Sequence, residues 1–159
     1  MSKQSAPQQP VAVNRKAFHD YFIEEEYEAG IVLTGSEIKS IRRGRVNLRG
    51  AYARIQDGEA WLFDAHISPN EETGAIFQHD PTRPRKLLLH RREINRLLGK
   101  LEQKGLTLVP LDIHFKQRRA KVKLGLSRGK KLYDKREATA ERESKRQIER
   151  ALKERRYDY

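Results

Sequence analysis

Most apolar residues in this chain come in short runs that alternate with polar ones, a pattern that favours strands over long helices. Tyr52 to Ile55 and Ala60 to His66 flank Asp57 and Gly58, a strong two-residue hairpin signal. Thr107 to Phe115 and Ala120 to Leu126 predict a second hairpin around the turn KQRR. In its second arm Val122, Leu124 and Leu126 fall on one face, with Lys121, Lys123 and Gly125 on the other. His19 to Ile23, Ile31 to Leu33 and Lys86 to Leu89 read as further strands, the first two parted by the acidic stretch EEEYEAG. Short antiparallel strands in a small domain need their edges removed, and closure does that. The expected fold is therefore mainly β with short helices, an OB-like closed antiparallel β-barrel.

Two helices interrupt the strands. Thr34 to Glu37 has capping-box spacing, Ile38 and Ile41 follow three residues apart, and Gly44 stops the helix. Ile94, Leu97, Leu98 and Leu101 stand at i, i+3, i+4 and i+7 of a second helix, which Gly105 ends. The other face of that helix carries Arg91, Arg92, Arg96 and Lys100. Trp61 and Phe63 share a strand face and are expected in the core, whereas Tyr52 is as well placed for core as for surface.

Charge narrows the partner. The chain holds 34 Lys and Arg against 22 Asp and Glu in 159 residues, a formal charge of +12. Such a balance suits an extended anion: nucleic acid, an acidic membrane surface or an acidic protein. Nucleic acid is favoured over the blander alternative, a mixed-charge surface of a thermostable protein. Without cysteine the chain makes neither a disulfide framework nor a thiolate metal site. No apolar run approaches the roughly 18 residues that span a bilayer, and the first residues contain no signal-peptide stretch. A cytoplasmic protein with no membrane partner is the expectation.

Three parts follow from these patterns. Residues 1–12, with Pro7 and Pro10, are polar and expected to be flexible. Residues 13–131 form the barrel. Residues 132–159 form a basic tail in which Glu141 with Lys145, and Glu149 with Lys153, have helix-supporting spacing. The apolar face of the tail is thin, chiefly Leu132, Ile148, Ala151 and Leu152. Such a segment should be disordered when free and helical against a polyanion, the alternative being a solvated helix or an inert tail.

Enzyme signals are weak. The histidines at 19, 66, 79, 90 and 114 show no paired metal-ligand spacing, and no catalytic or metal site is assigned. Glu24, Glu25, Glu26 and Glu28 alternate faces on a strand, so they read as a solvated acidic edge rather than a converging acid–base set. GLSRGKK fails as a phosphate loop, because Gly125 and Gly129 bracket three residues instead of four and Lys131 stands where a hydroxyl is needed. It remains a basic segment suited to a phosphate backbone. Aromatics and cations are interleaved: His19, Tyr21, Phe22, Tyr27 and Tyr52 are candidate stacking platforms, about half of them expected in the core instead. Arg15, Lys16, Arg42, Arg43 and Arg45 are candidate phosphate contacts, and Lys39 joins Arg42 among the RNA-binding candidates on the first helix.

Three blocks, NRKAFHDYFIEEEYEAGIVLTGSEIKSIRRGRVNL, DPTRPRKLLLHRREI and GLSRGKKLYDKR, together resemble the small protein B (SmpB) family from about Asn14 to Arg136. The rest of the tail resembles the family in character rather than residue by residue. The resemblance implies an OB-like barrel and a protein of trans-translation that binds the tRNA-like domain of tmRNA. With elongation factor Tu, it would accompany alanyl-tmRNA to a ribosome stalled without a codon. The barrel would stand in for a tRNA's anticodon arm, and the tail would enter the empty mRNA channel along small-subunit rRNA and fold there. No cofactor and no bond-making step are implied. By motif, Glu28 in YEAG and Leu89 and His90 in KLLLH match RNA-binding positions, His90 standing where some relatives have Asn. Gly129, Lys130 and Lys131 match a basic hinge beside the RNA. His19 matches a residue near the decoding centre, and Asp134, Lys135 and Arg136 match a tail element needed for accommodation. A generic OB-type RNA-binding or ribosome-associated protein would share the charge and fold but not the three blocks, and an RNA-modifying or hydrolytic enzyme would need a convergent site that is not seen.

Overall fold

The computed structural model describes residues 9–70, 78–103, 105–130 and 132–157, the last stretch by backbone alone at 132–135, 137–138 and 155–157. Two compact units emerge, 1–129 and 130–159. The first runs β1 (Ala12–Val13), α1 (Arg15–Asp20), β2 (Tyr21–Ile31), α2 (Gly35–Arg42), β3 (Val46–Asn47), β4 (Tyr52–Gln56), β5 (Glu59–Phe63), β6 (His66–Ile67), β7 (Arg85–Leu88), α3 (Arg91–Leu101), β8 (Leu106–Lys116) and β9 (Arg119–Gly129). The second unit is one helix, α4 (Leu132–Tyr157).

The fold is mainly β with short helices, as the alternation predicts. The main sheet has the order β1-β8-β4-β5-β7-β2-β9, and β8 also pairs with β9. Neighbouring strands are antiparallel throughout, and β3 pairs with β6 in a separate two-stranded ribbon. One set of alternating side chains makes the core: Leu62, Leu87, Leu108, Ile113, Val122, Leu124 and Leu126 are buried, and α2 and α3 add Ile41 and Leu97. The Asp57–Gly58 turn forms with both residues at positive φ, the geometry its sequence favours. Thr34 caps α2, with its N–H donating to Glu37 Oε1 at 2.9 Å.

Three expectations need correction. EEEYEAG does not interrupt two strands; β2 runs through it for 11 residues. Glutamate has low strand propensity, but here the acids meet cations from other elements. Glu24 accepts from Arg128 at 3.2 Å, Glu25 from Arg96 at 2.9 Å, and Glu26 lies 3.9 Å from Lys123. The solvated acidic edge is thus a strip of ion pairs. His19, read as strand, sits in α1, which Asn14 starts. The Asn14 carboxamide accepts from Ala17 N–H and donates to the carbonyls of Leu48 and Pro110, at 3.2 and 2.9 Å. Trp61 and Phe63 lie half-buried on the outer face, because Ala60 and Leu62 take the inner one with no exposure.

Gly125 packs so tightly on Leu111 that an added Cβ would meet its side chain at 3.0 Å, a structural reason for glycine. Beneath α2, Glu37 and Arg85 form a fully buried ion pair, and Arg83 also donates to Glu37. Burial pushes the Glu37 carboxyl up, but donation from Arg83, Thr34 N–H and Arg85 outweighs it and holds the group below its ordinary value. The pair fixes α2 against the start of β7, and Arg83 ties it to the segment before that strand. Removing one partner would strand a buried charge, a loss of about 3–5 kcal/mol.

Candidate nucleic-acid interface

β2 positions most of the candidate residues, and it places them at two ends. At one end Gly30 pairs with Leu88 of β7 and with Lys121 of β9. Glu28 lies two residues away. Its carboxylate meets His114 Nε2 at 3.2 Å and accepts from Lys116 Nζ at 3.3 Å. His114 is itself held from behind, Nδ1 to Asp112 Oδ1 at 2.7 Å. Partial burial pushes the Glu28 carboxyl up, yet donation from His114 and Lys116 brings it below the usual value. The result is a half-exposed, ionised acceptor in a fixed orientation, suited to receiving hydrogen bonds from a base edge or a 2′-hydroxyl.

His90 follows β7 directly, exposed at the start of α3, its N–H donating to Glu93 at 3.1 Å. Leu89 packs against the core, whereas its neighbour Leu88 is 54% exposed and lies beside Gly30. The Arg42 guanidinium, at the end of α2, sits 5.7 Å over the ring of Phe115, the residue between His114 and Lys116. Glu28, Leu89, His90 and Arg42 are therefore gathered around one end of the sheet. Lys39 is exposed on the same helix as Arg42.

At the other end Tyr21 pairs with Gly129. Nine residues of strand separate Tyr21 from Gly30, about 30 Å at roughly 3.3 Å per residue. His19 lies here, half-buried, with Nδ1 at 2.9 Å from Asp20. Gly129 ends β9 exposed, and Lys130 follows, half-exposed. The candidate RNA-binding set thus splits into two groups. Lys131 lies outside the described residues, as do residues 1–8 of the expected flexible start. Asp134 and Lys135 fall in α4 with side chains not described, and Arg136 is exposed there.

Clefts flank this second end. One of about 440 Å³ is lined by Lys16, Tyr21, Tyr52 and Arg54 among others, and one of about 520 Å³ by Arg15, Lys16, His19 and Arg49. Tyr52 is half-buried outside the core, stacked on Phe63 at 5.3 Å with Arg54 over its ring. Phe22 is 49% exposed, whereas the Tyr27 hydroxyl is engaged in donating to Glu25 at 2.6 Å. Arg42, Arg43 and Arg45 are exposed. Among the described residues no group of three His, Asp or Glu gathers as a metal site, and no helix is long and apolar enough to cross a membrane.

Sequence reasoning missed the exposed Leu88, the Tyr52–Phe63–Arg54 stack and the His114 support of Glu28. The Asp112 and His114 spacing, two residues on one strand face, was the available signal for the last.

A family model described as SmpB protein matches residues 11–154. The SsrA-binding protein of Roseiflexus sp. strain RS-1 is 71% identical over 145 residues, 91% of this chain and 92% of that protein. The SsrA-binding protein of Symbiobacterium thermophilum is 59% identical over 159 residues, 99% of each chain. A solved structure described as "tmRNA-SmpB: a journey to the center of the bacterial ribosome" is 55% identical, with a TM-score of 0.67 over 82% of this chain and 95% of that one. With the match running from β1 into α4 and the identities this high, the chain belongs to the SmpB protein family.

Proposed function

We propose that this protein binds the tRNA-like domain of tmRNA and brings it to stalled ribosomes in trans-translation. It acts in the cytoplasm, as a binding protein that makes and breaks no bond, and elongation factor Tu shares the delivery complex. Relatives named SsrA-binding protein and a structural neighbour described with tmRNA and the ribosome support this reading. The observation that carries it is the division of candidate residues between two ends of β2. Glu28, Leu88 and His90 form an exposed face for tmRNA, Arg42 over Phe115 and Lys39 on the same helix add cations near it, and Leu89 packs beneath. His19, at the other end of the strand about 30 Å away, is directed to the decoding centre, and Gly129, Lys130 and Lys131 serve as a basic hinge beside the RNA. One rigid strand thereby sets the distance between two RNA partners.

The ladder supports a closed OB-like barrel, because β8 pairs with both β4 and β9 and the run of neighbours returns to its start. Such closure gives the rigidity that a spacer between two RNA sites requires. The tail acts as a sensor. α4 has exposed Ile148 and Leu152 and no buried apolar residue among its described side chains, so its helix fluctuates in free solution. Entering an empty mRNA channel, its cations meet rRNA phosphates and the helix is held, with Asp134, Lys135 and Arg136 leading accommodation. A gel shift with the tRNA-like domain of tmRNA, competed by transfer RNA, tests the reading. Retention of the complex at transfer-RNA excess is expected; equal competition would favour a general RNA-binding protein instead.

A further inference from the structure

We propose that Arg118 and Arg119, at the tip of the β8–β9 hairpin, form a further phosphate-contact site for RNA. Charge pairing is the first observation. Cations along the acidic face of β2 are neutralised within the fold: Arg128 by Glu24, Arg96 and Lys100 by Glu25, Lys123 by Glu26 and Asp112, Lys116 by Glu28. Arg118 and Arg119 are exposed, and no acidic side chain among the described residues pairs with either. The tip is one of the places where positive charge is left over.

Backbone conformation is the second observation, and it is independent of the first. Gln117 and Arg118 hold φ of 52° and 65°, the left-handed region, just as Asp57 and Gly58 do at 51° and 74° in the β4–β5 turn. The second position of that turn carries glycine, the residue with no penalty there. The β8–β9 turn carries Arg118 at the same position, a residue disfavoured in that conformation. A guanidinium kept against a backbone preference points to use of its side chain.

Location names the ligand. Gly30 pairs with Lys121 near the hairpin tip and with Leu88 beside His90, so the tip shares the end of the sheet that holds Glu28 and His90. The site therefore rests on the proposed reading of that end as the tmRNA face. An arginine pair binds phosphate oxygens in a fork geometry and adds affinity without reading sequence.

The test uses the full chain, the tRNA-like domain of tmRNA, and the variants Arg118→Gly and Arg118→Lys, across a salt series and beside thermal melts. Binding by the wild-type chain reports on the parent reading; the ratio of variant to wild type reports on the tip. Arg118→Gly is expected to keep or raise Tm, because glycine relieves the left-handed position. It should nonetheless weaken binding roughly five- to eightfold near 0.1 M salt and make the salt slope shallower by about one. Arg118→Lys should fall between Arg118→Gly and wild type, since it keeps the charge and gives up the fork. Unchanged affinity and slope in Arg118→Gly, with the wild type binding, would overturn the site. If Tm and affinity fall together, tighter binding by Arg118→Lys than by Arg118→Gly supports the contact, and equal weakening in both overturns it. Displacement of the RNA by a polyglutamate peptide, as effective as by tRNA-like domain itself, would also overturn it and assign the tip to an acidic protein.

Discussion

α3 and α4 both carry net positive charge, yet they differ in what their apolar side chains meet. α3 spans 11 residues and buries Ile94 and Leu97 against the sheet. α4 spans 26 residues and leaves its largest described apolar side chains, Ile148 and Leu152, 60% and 57% exposed. Spaced pairs such as Glu141 with Lys145 add only a few tenths of a kcal/mol each. Helical spacing alone therefore does not tell a structural helix from a conditional one; the burial of its apolar stripe does. α3 belongs to the folded unit, whereas the described apolar side chains of α4 stay exposed, as the proposed sensor requires.

The largest effect expected is functional. Truncation after Lys131 removes no core residue among the described ones, the last of which is Leu126. The shortened chain should fold, bind the tRNA-like domain as tightly as the full chain, and drop to background in peptide transfer to alanyl-tmRNA on stalled ribosomes. Full transfer without the tail would end the sensor model. Substitutions at Asp134, Lys135 and Arg136 should reproduce much of the loss while leaving tmRNA affinity unchanged.

A pair of truncations sharpens the contrast in stability. Leu97 is fully buried, so Leu97→Ala should cost about 2–5 kcal/mol in denaturant unfolding. Leu152→Ala, on the exposed helix, should change unfolding by less than about 0.5 kcal/mol. Similar losses from both would mean that α4 packs somewhere in solution and is not conditional.

Within the folded unit, the next effect falls on binding. Glu28→Ala should weaken the tmRNA complex roughly tenfold to a hundredfold, the loss of a hydrogen bond to a charged group. His90→Ala should weaken it less, and Tm should hardly move in either variant. His114 touches Glu28 rather than the solvent face, so the double variant with His114→Ala should lose little more than Glu28→Ala alone. Additive losses in that cycle would show that His114 acts independently of Glu28.

Local signals were legible wherever one stretch of chain decides its own shape. Asp57 and Gly58 fix a turn, Thr34 and Glu37 fix a helix start, and the spacing of Ile94 and Leu97 fixes α3. What escaped depends on distant partners. Glu24 joins a strand because Arg128 arrives from β9, and α1 begins at Asn14 because Leu48 and Pro110 supply its other hydrogen bonds. Trp61 and Phe63 were assigned the wrong face because both faces of β5 are apolar, and alternation does not say which is inside. The proposed tmRNA face is legible in the sequence as separate motifs only. Its assembly needs β2 to pair with β7, and that pairing exposes Leu88 while sending Leu89 to the core.

The smallest effect concerns the link between α3 and β2. Donation from Arg96 and from the Tyr27 hydroxyl pulls the Glu25 carboxyl from 4.5 down to about 2. A carboxyl held below its unfolded value stabilises the fold while it stays ionised in the folded chain. The contribution is therefore complete above the ordinary carboxylate range and fades as pH falls from about 4.5 toward 2. Arg96 is largely exposed, 60% of its side chain, so solvent screens the pair and the effect is small. Arg96→Ala should leave the shape of the unfolding curve intact at neutral pH and lower Tm slightly. Below pH 4.5 the wild-type and variant curves should converge, because protonation of Glu25 removes from the wild type what the substitution has already removed. Addition of salt should narrow the neutral-pH gap in the same way. A gap that stays constant from pH 7 to pH 2 would show that Arg96 contributes through its methylene packing rather than through the ion pair, and that α3 is fixed to β2 by Leu97 and its neighbours alone.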